Sequence, residues 1–341
     1  MSRRSFAPAT SSRPRRFLGL VALMAIASGV SLERCRAELP VTSEDRVAVE
    51  RHADWVTVTI DGKPFTEYRF RSGAKPILWP IHGPSGEELT RGYPMRPAIE
   101  HEKEDHIHHR SFWFTHGDVN GVSFWDEQPG HGTIEQRELV TARGGETATI
   151  VTINDWRDKD GRKICEDRRT LEFGDDELGR WIDFTVVVRA SEGELVFGDT
   201  KEGAFGLRVA GSMKVDEKLG GRIESSEGLI DGATWGKPAK WVDYSGPVGE
   251  RTVGITIMDH PTSHGHPVHW HVRTYGLFAA NPFGLHDFYT PEAGKFGALI
   301  LQPGESFTLR YRVVLHDGPL DRERTEQAYA EWSRSEGRSI D

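Results

Sequence analysis

The chain has 341 residues, 37% of them hydrophobic and 28% charged, enough apolar content to close a core and too much for general disorder. Its 43 basic and 52 acidic residues give a net charge of −9. Seven of the basic residues and one of the acidic lie in the first 37, so the remainder carries −15. Such a surface repels nucleic acid phosphates and anionic lipid, and neither is expected as a partner.

Arg3, Arg4, Arg13, Arg15 and Arg16 precede an apolar run from Phe17 to about Leu32, and Ala37 then stands before Glu38. This is the layout of a secretory signal peptide, and the run is short for a membrane span of about 20 residues. Residues 1–37 are therefore read as a signal and residues 38–341 as one periplasmic or secreted domain. The export route stays open, because Ser2-Arg3-Arg4-Ser5-Phe6 resembles a twin-arginine motif but stands far from the apolar run. Beyond residue 37 only Cys165 remains, which excludes an internal disulfide and any cysteine-built zinc or iron–sulfur centre. No later stretch is long and apolar enough to span a membrane.

Trp55-Val56-Thr57-Val58-Thr59-Ile60 alternates with period two, Asp61-Gly62 supplies a turn, and Phe65–Phe70 reads as the return strand. Residues 72–105 are rich in Gly and Pro yet hold Ile77, Leu78, Trp79 and Ile81, so they read as an ordered loop region with short strands. Ala148–Trp156 and Lys163–Phe173 flank a second Asp-Gly turn. Further strand candidates are Trp181–Arg189, Ala204–Val215, Arg251–Asp259, Tyr275–Ala280, Ala298–Leu301 and Ser306–Leu315. Only Asp321–Ser335 reads as a helix, with Asp321 as its cap. Many antiparallel-type strands and no alternating βα pattern predict a mainly β fold: a large antiparallel β-sandwich with a short C-terminal helix.

The densest chemistry is His106-Ile107-His108-His109-Arg110, followed by His116. Were this segment a strand, His106, His108, Arg110 and His116 would share one face and His109 the other. Imidazoles at i and i+2 can bind a divalent metal or form an acid/base pair, so His106, His108 and His116 are the candidate metal ligands. A polar crossing held by hydrogen bonds is the alternative. A second cluster runs from Asp259 to His271, of which His260 and His271 are the better site candidates. Between the clusters, Asp199-Thr200-Lys201-Glu202 precedes an apolar strand that ends at Arg208. Glu202 could serve as a general base or a ligand there, or the segment could be a solvated turn. Trp235 and Trp241 lie in a Gly/Pro-rich stretch and could form a platform for a sugar ring. No Gly-x-Ser-x-Gly elbow, Walker-type loop or His-Glu-x-x-His occurs.

Taken together, Asp105–Phe114, His116–Val122, Asp199–Arg208, Asp259-His260-Pro261 and Tyr275–Gly284 resemble the PmoA-like family of domains of unknown function, whose label refers to a methane oxygenase subunit. The resemblance spans about residues 93–315. The family is similar in pattern to galactose-mutarotase-like supersandwiches, which bind or process sugars, and it has no settled catalytic residues to carry over.

The resulting expectation is an enzyme acting on a carbohydrate or sugar derivative as isomerase, lyase or hydrolase. His106, His108, His116, Glu202, His260 and His271 would be the catalytic set. His109, Arg110, Lys201, Arg208, Trp235 and Trp241 would bind a saccharide or other small molecule. A divalent metal is the only cofactor suggested. The alternatives are a non-catalytic sugar-binding module and a histidine-ligated copper or zinc protein.

Overall fold

Alternating burial shows why these segments are strands. The side chains of Trp55–Ile60 alternate between half-buried and buried, and those of Arg180–Val188 do the same, so each strand turns one row toward a shared interior. The Asp61-Gly62 turn has φ of 48° and 72°, the two positive values that a tight hairpin turn requires. The computed structural model describes residues 45–290, 293–294 and 296–335. The signal-peptide expectation, residues 1–37, lies outside them.

In chain order, β1 (Val47–Arg51), β2 (Trp55–Ile60), β3 (Lys63–Ser72), β4 (Lys75–Ile81) and β5 (Phe112–His116) begin a first sheet. The meander β6 (Thr133–Arg143), β7 (Ala148–Arg157), β8 (Lys163–Asp175) and β9 (Arg180–Arg189) begins a second. The short β10 (Leu195–Phe197) precedes β11 (Gly203–Arg208), which returns to the first sheet beside β5. Then β12 (Arg222–Ser225), β13 (Trp241–Val248) and β14 (Arg251–Asp259) extend the second sheet, and β15 (His269–Val272) and β16 (Leu277–Asn281) the first. After α1 (Leu285–Phe288), β17 (Leu299–Leu301) pairs with β10, β18 (Ser306–Asp317) enters the second sheet, and α2 (Arg322–Trp332) closes the chain.

The sheet orders are β1-β2-β3-β4-β5-β11-β16-β15 and β12-β13-β14-β18-β9-β8-β7-β6, antiparallel throughout. One compact unit starting at Glu44 holds every described residue. The sheets pack face to face. Phe112 and Phe205 of the first meet Phe184 and Tyr311 of the second, with ring centroids 5.9 and 4.5 Å apart across the interface. Cys165 is buried in this core.

The outer face of the first sheet positions the candidate site. Because Phe112, Phe205 and Phe278 point inward, their neighbours Trp113, Gly206 and Ala279 point out. Register places Trp113 opposite Gly206, Gly206 opposite Ala279, and Ala279 opposite His271. Two nearly absent side chains thus lie between an indole and an imidazole, and all four positions are buried. A Cβ on Gly206 would stand 3.0 Å from the Trp113 ring. Ile77, Trp113, Trp125, Leu277 and Ala279 form a second apolar cluster on this face, beneath the loops that precede β5 and follow it.

Three sequence expectations change. Residues 106–111 are turns, not strand, with His106 at φ 43° and Ser111 at 57°, so the period-two argument for that segment does not apply. Trp241 begins a strand and does not lie in a loop. The strand expected over Ala204–Val215 stops at Arg208 and gives way to 3-10 turns. The helix begins at Arg322, and the Asp321 side chain accepts from the Arg324 amide at 3.1 Å.

Candidate active site

A cleft of about 320 Å³ opens on the outer face of the first sheet, lined by His106, His108, His109, Trp125, Asp126, Lys201, Glu202, His271, Arg273 and Tyr275. Six residues expected from sequence meet here, from three distant segments of the chain. The turns at 105–111 bring the first three histidines together irrespective of strand alternation. Strand alternation puts His109 on the opposite face, yet it sits centrally. Its ring stacks on His106 at 4.8 Å and on Trp113 at 5.2 Å, and meets His108 edge-on at 4.5 Å. His106 in turn stacks on Tyr275 at 5.6 Å.

Two arginines behind the cleft set this arrangement. Arg91, almost fully buried, donates to the carbonyls of Lys103, Asp105, His106 and His109 at 2.9–3.2 Å and to the Asp105 carboxylate at 2.7 Å. Arg208 leaves the end of β11 on the outward side. It donates to His109 Nδ1 at 2.9 Å and to Asp105 Oδ1 at 3.3 Å, and its guanidinium lies 4.7 Å over the Tyr275 ring. Burial opposes ionisation of Asp105, but Arg208 and Arg91 outweigh it and hold the carboxyl below its usual range. Arg208 is thus a positioning residue beneath the cleft and not part of its lining.

The protonation pattern follows from these bonds. A guanidinium has no lone pair to offer, so His109 Nδ1 accepts from Arg208, and the ring proton resides on Nε2. Burial, reinforced by the neighbouring His108 and Arg208, holds His109 neutral. In His271 the roles are reversed. Its Nδ1–H donates to the Lys201 carbonyl at 2.6 Å, which leaves Nε2 as an acceptor. Burial lowers its pKa below the ordinary imidazole value, against the opposing effects of the Lys201 carbonyl and the Glu202 charge. His108 is pushed down to about 4, first by burial and then by the charge of Lys75. The cleft therefore presents a donor imidazole and an acceptor imidazole, both neutral at pH 7. Glu202 is beside them, half-exposed and 3.2 Å from Lys201 Nζ.

The remaining expected residues do not join this cleft. His116 points inward from β5 into the inter-sheet core. Its Nε2–H donates to the Gly198 carbonyl at 2.8 Å, and its ring stacks on Phe197. His260 is buried near α2, where its Nδ1 lies 2.8 Å from Thr262 Oγ1 and its ring meets Trp332 at 5.0 Å. Burial, then the Arg310 charge, pushes it to about 4. Arg110 is bound bidentately by Glu127 at 2.7 and 2.8 Å, beside buried Lys75, and forms a support behind the histidine turns. Trp241 is fully buried under α2, with Nε1 3.2 Å from Glu326, so it offers no platform. Trp235 is half-buried at the rim, 6.5 Å from the His271 ring.

The proposed metal ligands do not converge either, because His116 lies in the core with its Nε2 committed to a carbonyl. Among the described residues no group of three His, Cys, Asp or Glu side chains is placed to hold a metal ion. The Arg208 guanidinium on His109 and the Arg273 side chain in the lining also suit a cation poorly. Sequence reasoning missed Arg91, Asp126, Arg273 and Tyr275 as site residues. Arg273 and Tyr275 stand two and four positions after His271 but beyond β15, which ends at Val272, so their nearness to His271 in sequence, not strand alternation, is the signal for them. Arg91 carries no such signal.

A model of a family of unknown function, DUF6807, matches residues 55–330. No curated protein matches the sequence. Among solved structures, a putative aldose 1-epimerase of Escherichia coli K12 is 13% identical, with 80% of this chain and 99% of that one covered and a TM-score of 0.35. A galactose mutarotase-like protein of Lactobacillus casei is 10% identical over 79% of this chain and 100% of its own, with a TM-score of 0.32. The galactosidase domain of an alpha-galactosidase-sucrose kinase is 10% identical, with 80% of this chain covered and a TM-score of 0.35, and the match spans 41% of that longer chain. These likenesses assign no chemistry to the cleft. No described helix is long and apolar enough to cross a membrane.

Proposed function

The chain belongs to the DUF6807 family, whose function is unknown, and from the cleft itself we propose an enzyme that moves protons on a saccharide, acting outside the cytoplasm. One observation carries the reading: two neutral imidazoles with opposite proton roles and a carboxylate line one cleft with aromatic walls. His271 Nε2 takes a proton from a sugar carbon or hydroxyl. His109 Nε2–H donates to the oxygen on which negative charge develops, and Glu202 exchanges the proton with solvent. Trp125 and Tyr275 supply the aromatic part of the lining against which the C–H side of a pyranose ring would pack. The same proton movements serve isomerisation and elimination.

The test is incubation of the protein in D2O with a panel of aldoses, ketoses and oligosaccharides, read by proton NMR for deuterium uptake, anomer exchange and new products. The expected result is turnover of at least one sugar, reduced at least about 100-fold in His271→Asn, the scale of a lost general base. Binding without turnover by any member of the panel would turn the reading into a sugar-binding module.

A further inference from the structure

At one end of the cleft the Arg273 guanidinium lies 5.5 Å from the Trp235 ring centroid and 5.7 Å from that of Tyr275. The two cations that line the cleft differ. Lys201 is paired with Glu202 at 3.2 Å, whereas the Arg273 side chain has no hydrogen bond or ion pair to any described residue. The arginines behind the cleft are all committed: Arg91 and Arg208 to Asp105, and Arg110 to Glu127. An arginine held between two aromatic rings loses side-chain freedom while its five N–H donors remain unspent, which suits planar, bidentate recognition of an acid group. The lining also carries Asp126, whose charge acts on His108.

Resting on the proposed saccharide site, we infer that the substrate is an acidic sugar whose singly charged group, a carboxylate or a sulfate ester, is bound by Arg273 between Trp235 and Tyr275. A dianionic phosphate fits less well, since Glu202 and Asp126 line the same cleft and would repel the second charge. Against the net negative charge of the chain, −9 over all 341 residues, Arg273 is a cleft cation with no ion pair among the described residues, and so a local site that admits an anion.

The test is calorimetry of the whole protein with the methyl glycosides of glucuronate and galacturonate, the corresponding neutral glucoside and galactoside, and the 6-sulfates of those two. At least one acidic sugar is expected to bind about 10-fold or more tighter than its neutral parent, and the carboxylate and sulfate arms identify the group. In Arg273→Met that preference for the acidic sugar over its neutral parent disappears. Equal binding of neutral and acidic sugars by the parent protein, or a preference that survives in Arg273→Met, overturns this inference and leaves proton transfer on sugars standing. Absence of binding by every sugar overturns both.

Discussion

Replacing His116 by Phe separates the core from the cleft in a way that can be calculated. Burial holds the folded-state pKa of His116 at about 4, against about 6.5 for a free imidazole. Between those values the unfolded chain binds a proton that the folded chain does not, so stability falls as pH drops from 6.5 towards 4. A gap of about 2.5 units corresponds to about 3 kcal/mol in full, of which about 2 kcal/mol is lost between pH 7 and pH 5. In His116→Phe this dependence is gone. The variant also lacks the Nε2–H that meets the Gly198 carbonyl, so it is less stable at pH 7 by about 1–3 kcal/mol. Urea unfolding followed by tryptophan fluorescence at pH 7, 6 and 5 measures both effects. The stability difference between parent and variant narrows by about 2 kcal/mol at pH 5, and sugar binding by the folded variant is unchanged. Parallel pH curves, or lost binding in a folded variant, would refute the placement of His116 in the core.

Arg91→Met removes the bonds to four carbonyls and to the Asp105 carboxylate that draw residues 103–109 together, and hydrogen exchange at the His109 and Arg110 amides is expected to accelerate at least about 10-fold while the β8 and β9 amides hold. Arg208→Met takes away the donor that fixes His109, at a cost of about 1.5–3 kcal/mol; nitrogen-15 NMR should show His109 changing from one tautomer to a mixture, and an unchanged spectrum would contradict the assignment. Gly206→Val drives a side chain into the Trp113 indole, on which His109 stacks, and this should destabilise the fold by about 1–3 kcal/mol and weaken sugar binding. Cys165, buried and with its thiol pKa pushed up by burial, should react with a thiol reagent only when the protein unfolds.

Much of the fold was legible because half-buried strands write their alternation into the sequence. Trp55–Ile60 and Arg251–Asp259 match the observed strands end to end. Thr133–Arg143 and Trp241–Val248 were missed. The first is an edge strand with a mostly polar sequence and only one fully buried residue, Ile134, and the second contains Gly246 and Pro247 and is buried on both faces over most of its length. In the cleft, the local histidine cluster and the Lys201-Glu202 pair were visible as compositional density. His116 and His260 were drawn in by the same density, though one faces the core and the other packs against α2. What sequence could not supply was the convergence itself. It depends on β11 and β15 being brought to the same face by the strand order, and on two buried arginines, Arg91 and Arg208, holding the 103–109 turns over that face.

The most direct test is a crystal structure of the protein with the tightest-binding sugar of the panel. A sugar ring should lie in the cleft against Trp125 or Tyr275, with oxygen atoms within hydrogen-bond distance of His109 Nε2 and His271 Nε2. A sugar bound on another face, or one seated here without touching either imidazole, would contradict the assignment of this cleft as the active site.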